Sequence, residues 1–244
     1  MTINQTAFVT GADHGVGLGL VQVLLERGWT VFAGRYAAKE GELDRLQGVY
    51  KEQLQVADLD IADDDSVRAA AARVRENTDR IDLLINNAGI LGDIDSTVLD
   101  ELDFAEMQQV FNVNALGALR VTQALLPMLL RGEGKLLANI SSEAGSVGSC
   151  TRINWYAYCM SKAALNMQSA LIYNQFKSEG LKLLVLHPGY VQSYMHGELN
   201  TKASLTVGQA AANIIRTIEN HASYEPIDGK PPYIHTATGE RLVW

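Results

Sequence analysis

Short apolar, β-prone runs alternate with helical stretches along the whole chain, and this alternation leaves few folds open. Residues 6–10, 30–33, 56–59, 81–85, 135–140 and 183–186 read as strands. Residues 18–27, 104–130, 157–176 and 206–220 read as helices, the second of them broken near Pro127. Strands of this kind, separated by helical crossovers, form a parallel sheet covered on both faces. At 244 residues, with no repeat, low-complexity tract or Pro/Gly-rich linker, the chain fits one domain. The expected architecture is a single doubly wound α/β domain over residues 1–244.

Charge and composition remove several function classes. A net charge of −8 and the lack of a basic patch argue against nucleic acid as a partner. No apolar run approaches the roughly 18 residues of a membrane span, and Met1-Thr2-Ile3-Asn4-Gln5 lacks the basic start of a signal peptide, so the expectation is a soluble, cytoplasmic protein without membrane contact. Cys150 and Cys159 have no metal-binding spacing and read as free thiols, and His187 and His196 have neither helical nor finger spacing. No metal is expected. No G-x-S-x-G elbow occurs, which disfavours a serine hydrolase built on Ser142 or Ser146.

The first strand runs directly into Gly11-Ala12-Asp13-His14-Gly15-Val16-Gly17, followed by a helix. Strand, glycine turn and helix together point backbone N–H groups and a helix N-terminus at a phosphate, although an ordinary glycine-rich turn reads the same way. The second strand ends at Gly34-Arg35, where a dinucleotide site meets the adenosine ribose. An acid there suits NAD, whereas a guanidinium suits the 2′-phosphate of NADP(H). His14 is placed to assist Arg35, with Asp13 an opposing charge. Asp58, at the end of the third strand, is placed to accept from an adenine amino group, while Asp63-Asp64-Asp65 reads simply as a helix start.

Tyr158 and Lys162 are four residues apart and share one helix face. An ammonium near a phenol favours the phenolate by about 4 kcal/mol at roughly 4 Å, enough to bring Tyr158 toward a working pKa. Ser142, at the carboxyl end of the fifth strand, supplies a hydroxyl that can hold a carbonyl oxygen. Tyr156 has Met160, not lysine, four residues on.

The ordered set Thr10-Gly11-x-x-x-Gly15-x-Gly17, Asp58, Asn86-Asn87-Ala88-Gly89, Asn114, Ser142, Tyr158-x-x-x-Lys162 and Pro188-Gly189 resembles the short-chain dehydrogenase/reductase family nearly end to end. Trp155-Tyr156-Ala157-Tyr158, the run 161–167 and the ending 239–244 resemble its small carbonyl reductase-like members related to C-factor and sniffer proteins. The resemblance implies a Rossmann fold with a seven-stranded parallel sheet, and a catalytic set of Asn114, Ser142, Tyr158 and Lys162. It implies NADP(H) as preferred cofactor, with NAD(H) possible, contacted by Gly11, Asp13, His14, Gly15, Val16, Gly17, Arg35, Asp58 and Leu59. Asn87, Ala88 and Gly89, then Tyr158 and Lys162, then Pro188, Gly189, Val191 and Ser193 complete that contact set. Asn114 is implied to hold a relay water; a structural role for its buried amide is the competing reading. Tyr158 follows Ser142 by 16 residues, longer than is usual in the family, so residues 145–154 form an inserted loop beside the substrate. A short substrate loop is expected over about 190–206, where Tyr190, Tyr194, Met195 and His196 either touch substrate or pack the loop. The family likeness also implies a small carbonyl or alcohol substrate and a homodimer or homotetramer. A catalytically idle NAD(P)-binding sensor or signalling protein is the alternative.

Overall fold

The computed structural model describes residues 5–36, 41–195, 197 and 199–244. His196, named above as a substrate contact, lies outside them. Seven strands form one sheet: β1 (Thr6–Val9), β2 (Thr30–Arg35), β3 (Leu54–Asp58), β4 (Leu83–Asn86), β5 (Leu136–Ile140), β6 (Lys182–His187) and β7 (Tyr233–His235). Their order is β3-β2-β1-β4-β5-β6-β7, with every neighbouring pair parallel. The expected fold is therefore present, and the order reverses between β1 and β4, where open α/β sheets form their ligand crevice.

Side-chain alternation explains why the strands are apolar throughout. Ala7, Val9, Val31, Ala33, Leu83 and Ile85 pack on one face, against α1 (Gly15–Glu26), α2 (Glu42–Tyr50) and α7 (Val207–Glu219). Phe8, Phe32, Leu84, Leu137 and Val185 pack on the other. That face is covered by α3 (Asp64–Asn77), α5 (Ala118–Leu129) and α6 (Tyr156–Phe176), with α4 (Phe104–Phe111) beside α6. Asp63 caps α3 by accepting from Ser66 N at 2.7 Å, so this acidic run is a helix start.

The long second helix differs from expectation. It continues through Pro127, and it is interrupted instead by a π turn at Asn112–Gly117 between α4 and α5. Pro127 sits on the exposed side of α5, two residues before the helix ends. The seventh strand, which no sequence run located, is only three residues long.

Candidate active site

The glycine turn joins β1 to α1 at the carboxyl edge of the sheet. Gly11 and Gly15 have positive φ, and a Cβ on Gly17 would lie 1.9 Å from the Gly11 carbonyl oxygen, so the tight approach requires glycine. His14, at the N-cap of α1, makes no side-chain cap bond, which leaves the first-turn amides, including that of Val16, unspent on a cap. These features fit a bound pyrophosphate. Thr10 Oγ1 accepts from Asn87 N at 2.9 Å and Ala88 N at 3.0 Å, and Asn87 Nδ2 donates to Thr10 O at 3.0 Å and Gly11 O at 3.2 Å. The Asn87-Ala88 segment is thus sewn to the turn. Asn86 faces the core instead, donating to Asn139 and Thr122.

At the neighbouring edge Arg35 and Asp58 are partners in the β2–β3 register. Arg35 Nε and Nη2 donate to Asp58 Oδ1 at 3.0 and 2.8 Å, and Nη1 to Asp44 Oδ1 at 2.7 Å. The guanidinium is therefore held by two carboxylates, and Asp58 is engaged with it. Asp44, on the first turn of α2, carried no sequence signal. Leu59 lies against Gly34, where a Cβ would come within 2.5 Å of its side chain. His14 Nδ1 is 3.3 Å from Asp13 Oδ2, and that hydrogen bond raises the imidazole pKa against the opposing effect of burial.

Ser142 lies just beyond β5, and Tyr158 and Lys162 lie on successive turns of α6; all three are buried. The Ser142 hydroxyl neighbours the Tyr158 phenol and influences its ionisation. Lys162 Nζ donates to Ile140 O at 2.9 Å and lies 5.5 Å from the Tyr158 ring centre. Asn114, in the π turn, clamps Ile90: its Oδ1 accepts from Ile90 N and its Nδ2 donates to Ile90 O, both at 2.8 Å, with a further bond to Ser161 Oγ at 3.0 Å. A Cβ on Gly89 would sit 3.1 Å from Asn114 Oδ1 and 3.5 Å from Lys162 Nζ, so these two of the four expected residues converge beside that glycine.

The charge balance differs from expectation. Burial, the largest influence, raises the Tyr158 pKa well above that of a free phenol; the Ser142 hydroxyl opposes this and the Glu143 carboxylate adds to it. Burial also lowers Lys162 to about 8. The activation of Tyr158 expected from Lys162 is opposed by burial, because removing water penalises both charged forms, and the ammonium donates to a backbone carbonyl.

Three further residues, Glu143, Tyr233 and His187, neighbour the site without being read as part of it from the sequence. Glu143 accepts from the Ser142 hydroxyl. Tyr233 on β7 donates to Ser142 O, and burial pushes its phenol up to about 12. His187, at the end of β6, packs edge-on against His235, and burial lowers it to about 4. A carboxylate directly after Ser142 was the one visible clue. Beyond β6, Gly189 has positive φ, and Val191 pairs with Leu205 to close the 190–206 loop. Tyr190 and Tyr194 are exposed on it, Tyr190 OH being held by Asn200 Nδ2, while Ser193 O accepts from Asn200 N. Among the described residues no helix is long and apolar enough to cross a membrane, and no group of His, Cys, Asp and Glu could hold a metal.

A sheet with its phosphate-type turn at the reversal of strand order, and a Ser–Tyr–Lys cluster at the same edge, defines a dinucleotide-dependent class of protein. The family model described as short chain dehydrogenase matches residues 5–204. Among relatives, the C-signal of Myxococcus xanthus is 40% identical over 142 residues, 58% of this chain and 82% of its own. The 1-hydroxy-2-glutathionyl-2-methyl-3-butene dehydrogenase of Rhodococcus sp. (strain AD45) is 32% identical over 220 residues, covering 88% of this chain and 91% of its own. The NADPH-bound carbonyl reductase from chicken fatty liver superposes with a TM-score of 0.85 at 30% identity, over 99% of this chain and 94% of that one. The chain belongs to the short-chain dehydrogenase/reductase family of oxidoreductases.

Proposed function

We propose that the protein is an NADP(H)-preferring carbonyl reductase, moving hydride between nicotinamide and a carbonyl or alcohol carbon of a small substrate in the cytoplasm. The observation that carries this reading is the Ser142–Tyr158 hydroxyl pair at the sheet edge, with buried Lys162 and Asn114 behind it. A bound nicotinamide dinucleotide would supply the hydride. The chain's own residues do the rest: Ser142 and Tyr158 hold the carbonyl oxygen, and Tyr158 gives up its proton as negative charge develops there. The raised Tyr158 pKa keeps that proton in place at neutral pH, which suits reduction. Lys162 stabilises the phenolate left behind, and Asn114, clamped to Ile90, fixes one wall of the proton's way to solvent. The glycine turn and Arg35 would hold the pyrophosphate and 2′-phosphate, and the NADPH in the chicken carbonyl reductase supports that choice.

The test is oxidation of NADPH, and separately NADH, across small aldehydes, ketones and quinones, with Tyr158→Phe alongside. Turnover with NADPH should fall by at least about a thousandfold in the variant while cofactor affinity stays within about twofold. Retained turnover in Tyr158→Phe defeats the role assigned to it. The likeness to C-signal favours a second reading, a binding protein that signals, and tight cofactor binding with no turnover on any carbonyl would support it.

We also propose that a second copy of the chain covers α4 and α6. These helices pack side by side, and Phe104, Met160, Met167 and Leu171 are more than half exposed on them. An apolar surface of this kind on paired helices suits a homodimer, within which a tetramer is built by repetition.

A further inference from the structure

Glu143 follows Ser142 directly, and its carboxylate is engaged on both oxygens. Oε2 accepts the Ser142 hydroxyl at 2.7 Å, and Oε1 accepts from Arg152 Nη2 in the inserted loop. The Arg152 guanidinium lies 4.3 Å over the Trp155 ring, which meets the Tyr158 ring edge-on with 5.9 Å between centres. The contacts run as a chain, Ser142, Glu143, Arg152, Trp155 and Tyr158, and the Tyr158 phenol neighbours the Ser142 hydroxyl at which the chain begins. A serine hydroxyl has one hydrogen, so while Glu143 takes it, Ser142 can offer Tyr158 only a lone pair and cannot lower the phenol's pKa by donating to a phenolate. Tyr158 is then the donor of the pair.

We propose that Glu143 is a positioning residue of the proton-transfer site: its carboxylate orients the Ser142 hydroxyl and, through its charge, holds Tyr158 in the proton-donating arrangement that reduction needs. The proposal rests on the carbonyl reductase reading above. The groups that face Glu143 are Arg152 from the loop, His187 from the end of β6, Tyr158 and Cys159 from α6, and Tyr233 from β7. Of these, Arg152 is the cation at neutral pH, because burial keeps His187 uncharged. Burial pushes the Glu143 pKa up, but the Ser142 bond, His187 and Arg152 outweigh it, and the carboxyl is held below its ordinary range. Glu143 is thus charged at any pH where the enzyme would work. Its carboxylate also raises the Tyr158 pKa, in the sense the proposal needs.

Glu143→Gln keeps the shape and an acceptor oxygen but removes the charge. The pH profile of kcat/KM for carbonyl reduction is to be compared in the intact protein, Glu143→Gln and Arg152→Gln. The alkaline limb, set by proton loss from the paired Lys162 and Tyr158, should move down by roughly one pH unit in Glu143→Gln, which removes a negative charge beside that pair. It should move up in Arg152→Gln, where the carboxylate meets less opposing charge. A uniform loss of rate with the limb unmoved is what a purely structural role gives, and it overturns the proposal. A second arm needs no turnover: carboxyl-carbon NMR titration of Glu143 with and without Ser142→Ala. Loss of the serine should raise the Glu143 pKa; an unchanged titration overturns the Ser142–Glu143 coupling. If no carbonyl is reduced by any of these proteins, the carbonyl reductase reading falls, and the NMR arm alone decides whether Glu143 holds Ser142.

Discussion

Arg35 ends β2 beside Asp58 on β3, and the strand register alone makes them partners. Asp44 then adds a second carboxylate, so the guanidinium faces the proposed 2′-phosphate with two acids already attached. A cation so placed attracts a phosphate less than a free one, because the cluster carries net negative charge. Asp44→Asn should therefore tighten NADPH binding by roughly fivefold, about 1 kcal/mol for a partly exposed charge, and leave NADH nearly unchanged. Titration calorimetry with each cofactor checks it; an equal change for both would place Asp44 outside the 2′ site. The same competition of terms governs Tyr158 and Lys162, where burial disfavours both charged forms and opposes their mutual attraction.

Secondary-structure elements are placed here by a few polar ties. At the end of the sheet away from the site, the buried Asp82 carboxylate accepts from Thr6 N at 2.9 Å, Glu133 N at 2.8 Å and Gly134 N at 3.2 Å. It joins β1, the approach to β4 and the turn before β5. Asp82→Ala leaves three amides without their acceptor and should cost about 3 kcal/mol in urea unfolding, with cofactor affinity of the folded protein unchanged. A loss below about 1 kcal/mol would mean that water replaces the carboxylate. At the site end, the π turn at Asn112–Gly117 plays the corresponding part, turning Asn114 onto Ile90. π turns commonly stand at functional sites, because the extra residue redirects one side chain without ending the helix.

For the molecule as a whole, two apolar layers close over a sheet whose strands are short but buried on both sides. The outer face of α4 and α6 keeps apolar side chains exposed, and α6 also carries Tyr158 and Lys162. A pairing of chains there would stiffen the catalytic helix from behind. Met167→Glu with Leu171→Glu should reduce the sedimenting species to a single chain and lower turnover severalfold through α6, since two charges in an apolar interface are not solvated. Intact protein that already sediments as one chain would rule out the pairing.

The fold and the Tyr158–Lys162 pair were legible in the chain because both rest on local signals, whereas Asn114 and Ser142 stood out only through resemblance to the family. Apolar runs at 6–10 or 183–186 mark strands wherever they fall, glycines at 11, 15 and 17 mark a turn only glycine can make, and a four-residue spacing puts Tyr158 and Lys162 on one face. Tertiary structure decided what depends on residues far apart in the chain. Tyr233 reaches the Ser142 carbonyl from a strand too short to show a pattern, Arg152 reaches Glu143 across an inserted loop, and Asp44 shares Arg35 with Asp58. The protonation of Tyr158 belongs to the same group: Lys162 four residues away reads as an activating charge, but the degree of burial that sets the phenol's pKa exists only once α6 packs against the sheet.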